Sequence, residues 1–398
     1  MHIARSSTWA AVVALASVLP ISSAADEADG NDRTSFLGGP NSIPAQLEEQ
    51  DDESAAFFER LETDHGLNLA VDYASMFQGA SDVIDGDSSA SSGALRIYGT
   101  WTLVGRGTRN RGSIVAKVEH RHAYSEIAPA GLASNVGYLG ASAIGFTDVR
   151  EFVAPVYWQQ FFGDGRSGFF AGRVDPLDFV DVLGVGSQWT SFQNGATLAN
   201  LSLPLPDLGC GAGAGRTFND QWIVGVTAHD LNGSQTNLDC FAGGLELYKQ
   251  AYVGWSPSRA QRFNQTAILT VWHADSQDNG TGSGSGVALS ANWTLNERWM
   301  PFVRVGVSSG EAAVMKTQVS AGLTITFGSS RSQIGAAISY QDPAIEGLDN
   351  QTTLETYARW QITPALAISP NLQILRNPAL NPDESTVVLG GLRIRYTP

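Results

Sequence analysis

The chain has 398 residues, a formal net charge of −15 and only 16% charged side chains, below the usual quarter. Lys+Arg number 24 against Asp+Glu 39, so there is no basic surplus to neutralise phosphates and nucleic acid is excluded as a partner. The length suits two or three ordinary domains or one large barrel.

Residues 1–25 read as an export signal. Arg5 supplies the positive region, "WAAVVALASVL" (Trp9–Leu19) the apolar run, Pro20 the break and Ser22–Ala25 the small residues for cleavage. The run is shorter than the roughly 20 residues that a membrane helix needs. No later segment is long and apolar enough either, so an exported chain of this kind is soluble or a barrel. Residues 26–56 read as a flexible acidic segment, with Gly, Pro and the run "EEQDDE" (Glu48–Glu53) arguing against a packed core. In "ESAAFFERLETDHG" (Glu53–Gly66), Ala56, Phe57, Arg60 and Leu61 have helical spacing and Gly66 can cap.

From residue 67 the pattern has period two. Sixteen strands are predicted, at 67–77, 94–105, 112–124, 150–162, 167–175, 197–204, 219–230, 244–255, 264–274, 286–293, 299–308, 314–327, 332–340, 352–360, 365–375 and 386–396. Most run about 9 to 12 residues, the length of tilted membrane-spanning strands. From residue 244 the connections alternate. Short ones such as "TLNER" (294–298) and "QITP" (361–364) follow long polar ones such as "DSQDNGTGSGSG" (275–286) and "RNPALNPDES" (376–385). Trp255, Trp293, Trp299, Phe327 and Trp360 sit beside the short turns, as an aromatic girdle would. The fold class is therefore all-β: a transmembrane antiparallel barrel over 57–398, of sixteen strands, with a short N-terminal helix and an inward-folded loop.

Parity assigns the faces. In "SIVAKVEHRHAYS" (Ser113–Ser125), Lys117, Glu119 and Arg121 share one side and Ala116, Val118, His120 and His122 the other. A wet interior and an oily exterior place the three charges toward a water-filled lumen.

Three stretches resemble the carbohydrate-selective outer-membrane porins of Gram-negative bacteria, the OprB type. They are "ETYARWQITPALAISPNLQILRNPALNPDESTVVLGGLRIRYTP" (Glu355–Pro398), "FFAGRVDPLDF" (Phe169–Phe179) with "FQNGA" (Phe192–Ala196), and "LETDHGLNLAVDYASMF" (Leu61–Phe77). The resemblance implies a sixteen-stranded barrel and passive sugar uptake. Its arginine-rich constriction carries over by motif to Arg173 and Asp175. Two departures stand out. The chain ends Tyr396-Thr397-Pro398, whereas such barrels end on an aromatic residue. The alternation also puts Cys240 in an outer loop and Cys210 at the opposite end. An even count in an exported chain suggests a disulfide, with two free buried thiols as the alternative. Pairing requires residues 205–218 to fold into the lumen, or the strand count to slip nearby.

A sugar path needs Arg and carboxylates for hydroxyl pairs and an aromatic face for the ring, with binding weak enough for release. Parity supplies Arg96, Lys117, Glu119, Arg121, Arg304, Lys316, Arg359, Arg393 and Arg395, and Trp158 as an inward stacking ring. The competing reading is that these charges pair across the wall and set its shape. His120 and His122 flank one residue, but a metal site needs three or four ligands, so no metal or cofactor is expected. The expected function is an outer-membrane porin for mono- or oligosaccharides and similar small polar solutes, surrounded by outer-membrane lipid and not an enzyme. A homotrimer is one assembly compatible with it. The alternatives are a general porin, a barrel-type lipid hydrolase using one of His65, His120, His122, His229 or His273, and a secreted β-sandwich lectin. No G-x-S-x-G motif supports the hydrolase, and a lectin leaves the polar inward face unexplained.

Overall fold

The computed structural model describes residues 37–39, 42–50, 56–327 and 331–398. The export signal lies outside the described residues. Alternating side chains from residue 67 onward build sixteen strands. They are β1 (Leu67–Ala80), β2 (Ser89–Val104), β3 (Gly112–Ala123), β4 (Arg150–Phe162), β5 (Ser167–Val174), β6 (Gly209–Phe218), β7 (Trp222–Asp230) and β8 (Leu247–Trp255). The second half comprises β9 (Gln265–Ala274), β10 (Gly284–Trp293), β11 (Trp299–Gly310), β12 (Met315–Phe327), β13 (Ser332–Pro343), β14 (Gln351–Gln361), β15 (Leu366–Arg376) and β16 (Thr386–Tyr396). Each strand pairs with its neighbours in sequence, and β1 pairs with β16 from Tyr73↔Tyr396 to Ala80↔Leu389. Closure leaves no unpaired strand edge, the condition for a sheet in hydrocarbon.

The two faces follow the pleat. On β14, Thr353, Glu355, Tyr357 and Arg359 are buried inside while Leu354 and Trp360 are exposed outside. Outward rings gather where the short turns are: Trp101, Trp222, Trp299, Phe327 and Tyr396 are exposed there. Trp255 and Trp293 stack with centroids 5.7 Å apart. Inward rings lie flat over glycines of the adjacent strand. A Cβ on Gly335 would come within 2.4 Å of Tyr357, one on Gly225 within 2.4 Å of Tyr252, and one on Gly322 within 2.5 Å of Phe302.

Two helices precede β1. Helix α1 (Ile43–Gln50) forms inside the segment read as flexible from its acidic composition. Helix α2 (Ala56–His65) matches the spacing of Ala56, Phe57, Arg60 and Leu61. It stops at Gly66, whose φ of 70° suits a C-cap, and Trp101 Nε1 donates to the His65 carbonyl at 3.3 Å. Helix α2 is thereby fixed at the short-turn rim. Helices α3 (Pro129–Asn135) and α4 (Gly195–Leu198) belong to loops.

The structure corrects the sequence reading between β5 and β7. The predicted strand 197–204 is loop and α4, while "GCGAGAGRTF" forms β6. Small residues hid the period of β6. The inward-folded loop is therefore 175–208, not 205–218. Counting in β6 also moves Cys210 to the long-loop end, the same end as Cys240, and the two are joined as a disulfide with Cα atoms 5.2 Å apart. On β12 a bulge between Met315 and Thr317 inverts parity at the rim. Met315 is buried inside and Lys316 is exposed, the reverse of the sequence expectation.

Candidate solute path

Inside the barrel, β1, β2, β3 and β16 present charges at register positions that let them meet. Asp72 pairs directly across from Arg96. Its carboxylate accepts from Arg96 Nε at 2.7 Å and also from Arg96 Nη2, and from Arg395 Nη2 at 2.7 Å and Nε at 3.1 Å. Glu119 sits between its strand neighbours and receives Lys117 Nζ at 2.7 Å and Arg121 Nε at 2.6 Å. Burying such groups is unfavourable unless they are paired, so these networks fix geometry more than they add stability.

The loop 175–208 folds from the long-loop end into the lumen. Asp175 starts it by accepting the Leu177 N–H at 3.1 Å. Phe179 then stacks on Phe170 of β5 at 3.8 Å. Asp181 takes Arg304 of β11 and Ser290 of β10. Arg304 also donates to the carbonyls of Leu198 at 2.9 Å and Thr197 at 3.3 Å. Asn194 caps α4. Gln318 donates to the carbonyls of Ala196 and Ala199. Glu355 accepts the N–H groups of Gln193 at 2.5 Å and Asn194 at 3.1 Å. Arg393 donates to the carbonyls of Gln188 at 2.6 Å and Ser191 at 3.1 Å. Burial holds the carboxyl of Asp178 well above the usual carboxylate range, with the charge of Asp175 adding to it. Burial also raises Asp181, against the pull of Arg304.

A second loop, 124–149, enters the mouth. Tyr138 Oη donates to Asn194 Oδ1 at 2.9 Å and meets Gln341 and Thr353. Phe146 packs on Trp189 at 5.3 Å. Trp189 in turn lies 3.8 Å under the Arg96 guanidinium and 6.0 Å from that of Arg121. Loops, not the wall alone, set the width of the lumen.

The structure places Arg96, Lys117, Glu119, Arg121, Arg304, Arg359 and Arg393 on the inward face, all buried. They differ in access. Arg96 is 0% exposed, whereas Lys117 keeps 7% and Arg121, Arg359 and Arg395 keep 8% each. Two sequence expectations are corrected. Trp158 pairs with Ile114 on the outward face, because the register breaks between Ala116 and Val118 opposite Pro155. Tyr157, 3% exposed, takes the inward place. Arg173, expected with Asp175 at the constriction, faces outward instead. It pairs with outward Val156 and with Cys210. There it clamps the loop 231–246 onto the outer wall through the carbonyls of Ser234 at 2.5 Å and Asn237 at 3.0 Å. The break between them is the end of β5, where Val174 packs inward and the chain turns into the loop. Trp189 and Gln188 were missed because no strand period frames them.

The hydrolase alternative finds one near match. His273 Nδ1 lies 2.9 Å from Ser285 Oγ, and its Nε2 lies 3.4 Å from Asp275. Asp275, however, is held by Lys249 Nζ at 2.6 Å and the Leu247 N–H at 3.1 Å. Ser285 sits within the β9–β10–β11 ladder, whose register runs through it on both sides. His120 and His122 face outward, with His120 Nδ1 2.9 Å from Glu151. Among the described residues no three His, Cys, Asp or Glu gather as for a metal.

Residues 223–397 match the family model described as "Carbohydrate-selective porin, OprB family". No curated protein matches the chain. Among solved structures, the high-pH structure of Pseudomonas putida OprB aligns with a TM-score of 0.69 at 13% identity, over 91% of this chain and 100% of that one. The low-pH structure of the same protein gives 0.49 over the same shares at 13% identity. A Rh. blastica porin mutant gives 0.48 at 11% identity, over 83% of this chain and 99% of that one. The first of these likenesses shows the fold, a sixteen-stranded closed barrel.

Proposed function

We propose that this chain, matched over residues 223–397 by the carbohydrate-selective porin family, is an outer-membrane porin of a Gram-negative bacterium that passes sugars and similar polar solutes by diffusion. The observation that carries the reading is the inward ring of cations around a loop that narrows the lumen. Lys117, Arg121, Arg359 and Arg395 retain access. Their N–H groups can take sugar hydroxyls in pairs, and Glu119 can accept from them. Each contact competes with an internal partner, so binding stays weak enough for passage. The reading makes the protein a channel, a closed barrel with a narrowed lumen.

Self-association belongs to the same reading. Tyr73, His122 and Tyr124 share an outward face of β1 to β3, with Tyr73 Oη 3.3 Å from His122 Nε2 and 2.5 Å from Tyr124 Oη. Tyr73 stands six residues above Leu67, the start of β1. At roughly 3.3 Å per residue and a tilt of about 40° that is roughly 15 Å into the bilayer. Polar groups at that depth are unfavourable against lipid, and a second copy of the barrel would cover them.

Liposome swelling with sugars of increasing size, together with planar-bilayer conductance, tests the proposal. Size-dependent swelling supports it. A folded barrel that passes neither ions nor sugars refutes it.

A further inference from the structure

Part of the lumen is occupied by chain that does not belong to the barrel. Leu37, Ile43 and Leu47 are 2%, 0% and 3% exposed. They pack in one cluster with Ala70, Tyr98, Val115 and Tyr157, which are inward residues of β1 to β4. Ile43 and Leu47 are four apart, so they share one face of α1. Ser42 Oγ, just before the helix, donates to the Gly39 carbonyl at 2.6 Å. Only residues 51–55 separate α1 from α2, a reach of at most about 20 Å. Since α2 is fixed at the short-turn rim, α1 lies in the lumen's lower half.

Two further contacts hold this segment to the groups that shape the path. The Gly39 N–H donates to the Asp178 carbonyl of the inward loop at 2.7 Å. A Cβ on Gly39 would meet the Val182 side chain at 2.7 Å, so the Gly39 backbone lies against that side chain with no room for one of its own. Gln46 Oε1 accepts from Arg96 Nη1 at 3.1 Å. This side of the wall, with Arg96 at 0% and Tyr98 at 1%, is thereby sealed. Lys117 and Arg121 of β3, at 7% and 8%, keep a little access beside it.

We propose that residues 37–39 and 42–47 are a fixed part of the channel wall and determine its cross-section, and hence the largest solute that passes. This rests on the porin reading. An α-helix with its side chains is about 10–12 Å across, comparable to a small sugar, so removing it opens a second lane past Arg96 and Asp72.

The test uses the full chain in planar bilayers and liposomes. Ile43→Glu with Leu47→Glu should expel the helix and leave a folded barrel, read from its heat-dependent gel mobility. Unitary conductance should rise about twofold or more, and liposomes should swell in a trisaccharide that the wild type excludes. Adding Gly39→Cys and Val182→Cys, oxidised, should restore the small conductance. A deletion of residues 37–50 serves as the second variant, with the same readings. Folded variants with unchanged conductance and size limit overturn the inference, as does a locked protein that stays wide. If the wild type itself passes nothing, the porin reading falls and takes this inference with it.

Discussion

Glu355→Ala should free the inward loop without unfolding the wall. The Glu355 carboxylate is wholly buried and accepts from the Gln193 N–H at 2.5 Å, the Asn194 N–H at 3.1 Å and Asn371 Nδ2 at 2.7 Å. Hydrogen bonds to a charged acceptor contribute about 1.5–3 kcal/mol each, and Asn371 can find water when the carboxylate goes. The two backbone donors cannot while the loop stays docked. The docked loop should therefore lose about 3–6 kcal/mol, or roughly two to four orders of magnitude in its docked-to-free ratio. Arg304 and Gln318 still hold the α4 end, so release should be confined to the stretch around Gln188 to Asn194. The assay is single-channel recording. Open-channel noise should rise and mean conductance increase, with Glu355→Gln intermediate because one acceptor oxygen remains. A folded Glu355→Ala barrel with wild-type noise, conductance and sugar size limit would show that this carboxylate does not hold the constriction.

Three other outcomes follow from the geometry. Arg121→Ala should change relative swelling rates for glucose and larger sugars. Arg173→Ala should leave them unchanged and instead make the loop 231–246 sensitive to protease, and equal effects in both variants would contradict their opposite faces. Cys210→Ser opens a crosslink of sequence separation 30, worth up to about 3–4 kcal/mol in chain entropy. The heat-induced mobility shift should move to lower temperature while conductance holds, and a changed conductance would contradict the disulfide's place outside the lumen. The Asp178 carboxyl is raised above its ordinary value of 3.8 by burial, so the folded state favours its neutral form. Its contribution is present in full below 3.8 and is lost as pH rises through the folded-state value. Asp178→Asn should therefore be more heat-stable than wild type at neutral pH and equal to it in acid, and a constant difference across pH would refute the assignment.

The barrel was legible because a wall with water on one side and lipid on the other forces strict alternation. The segment Leu354 to Arg359 shows it without help from neighbours. Legibility failed where that two-solvent rule lapses. Strand β6 reads Gly-Cys-Gly-Ala-Gly-Ala, with no polarity contrast to alternate. Val153 to Val156 slips one position at a bulge next to Pro155, which sent Trp158 to the wrong face. The resemblance put Arg173 at the constriction by motif, yet the loop 231–246 gives it carbonyl partners on the outer wall. The inward loop was expected, but its anchors on Glu355, Gln318 and Arg304 join residues more than a hundred positions apart. No local pattern encodes such a contact. Nothing in the sequence marks Asp72, although its register with Arg96 makes it the centre of one buried charge network, as Glu119 is of another.

Rings lying flat over glycines separate two properties that are coupled in most pores. Tyr357 on Gly335, Phe302 on Gly322 and Tyr252 on Gly225 make the inner surface of the cylinder smooth, so its bulk side chains take up little of the bore. A methyl added at any of these glycines would tip a ring toward the axis and obstruct flow without touching a charge. The bore can thus be altered at a glycine of the wall without altering any of the charges that the same wall carries.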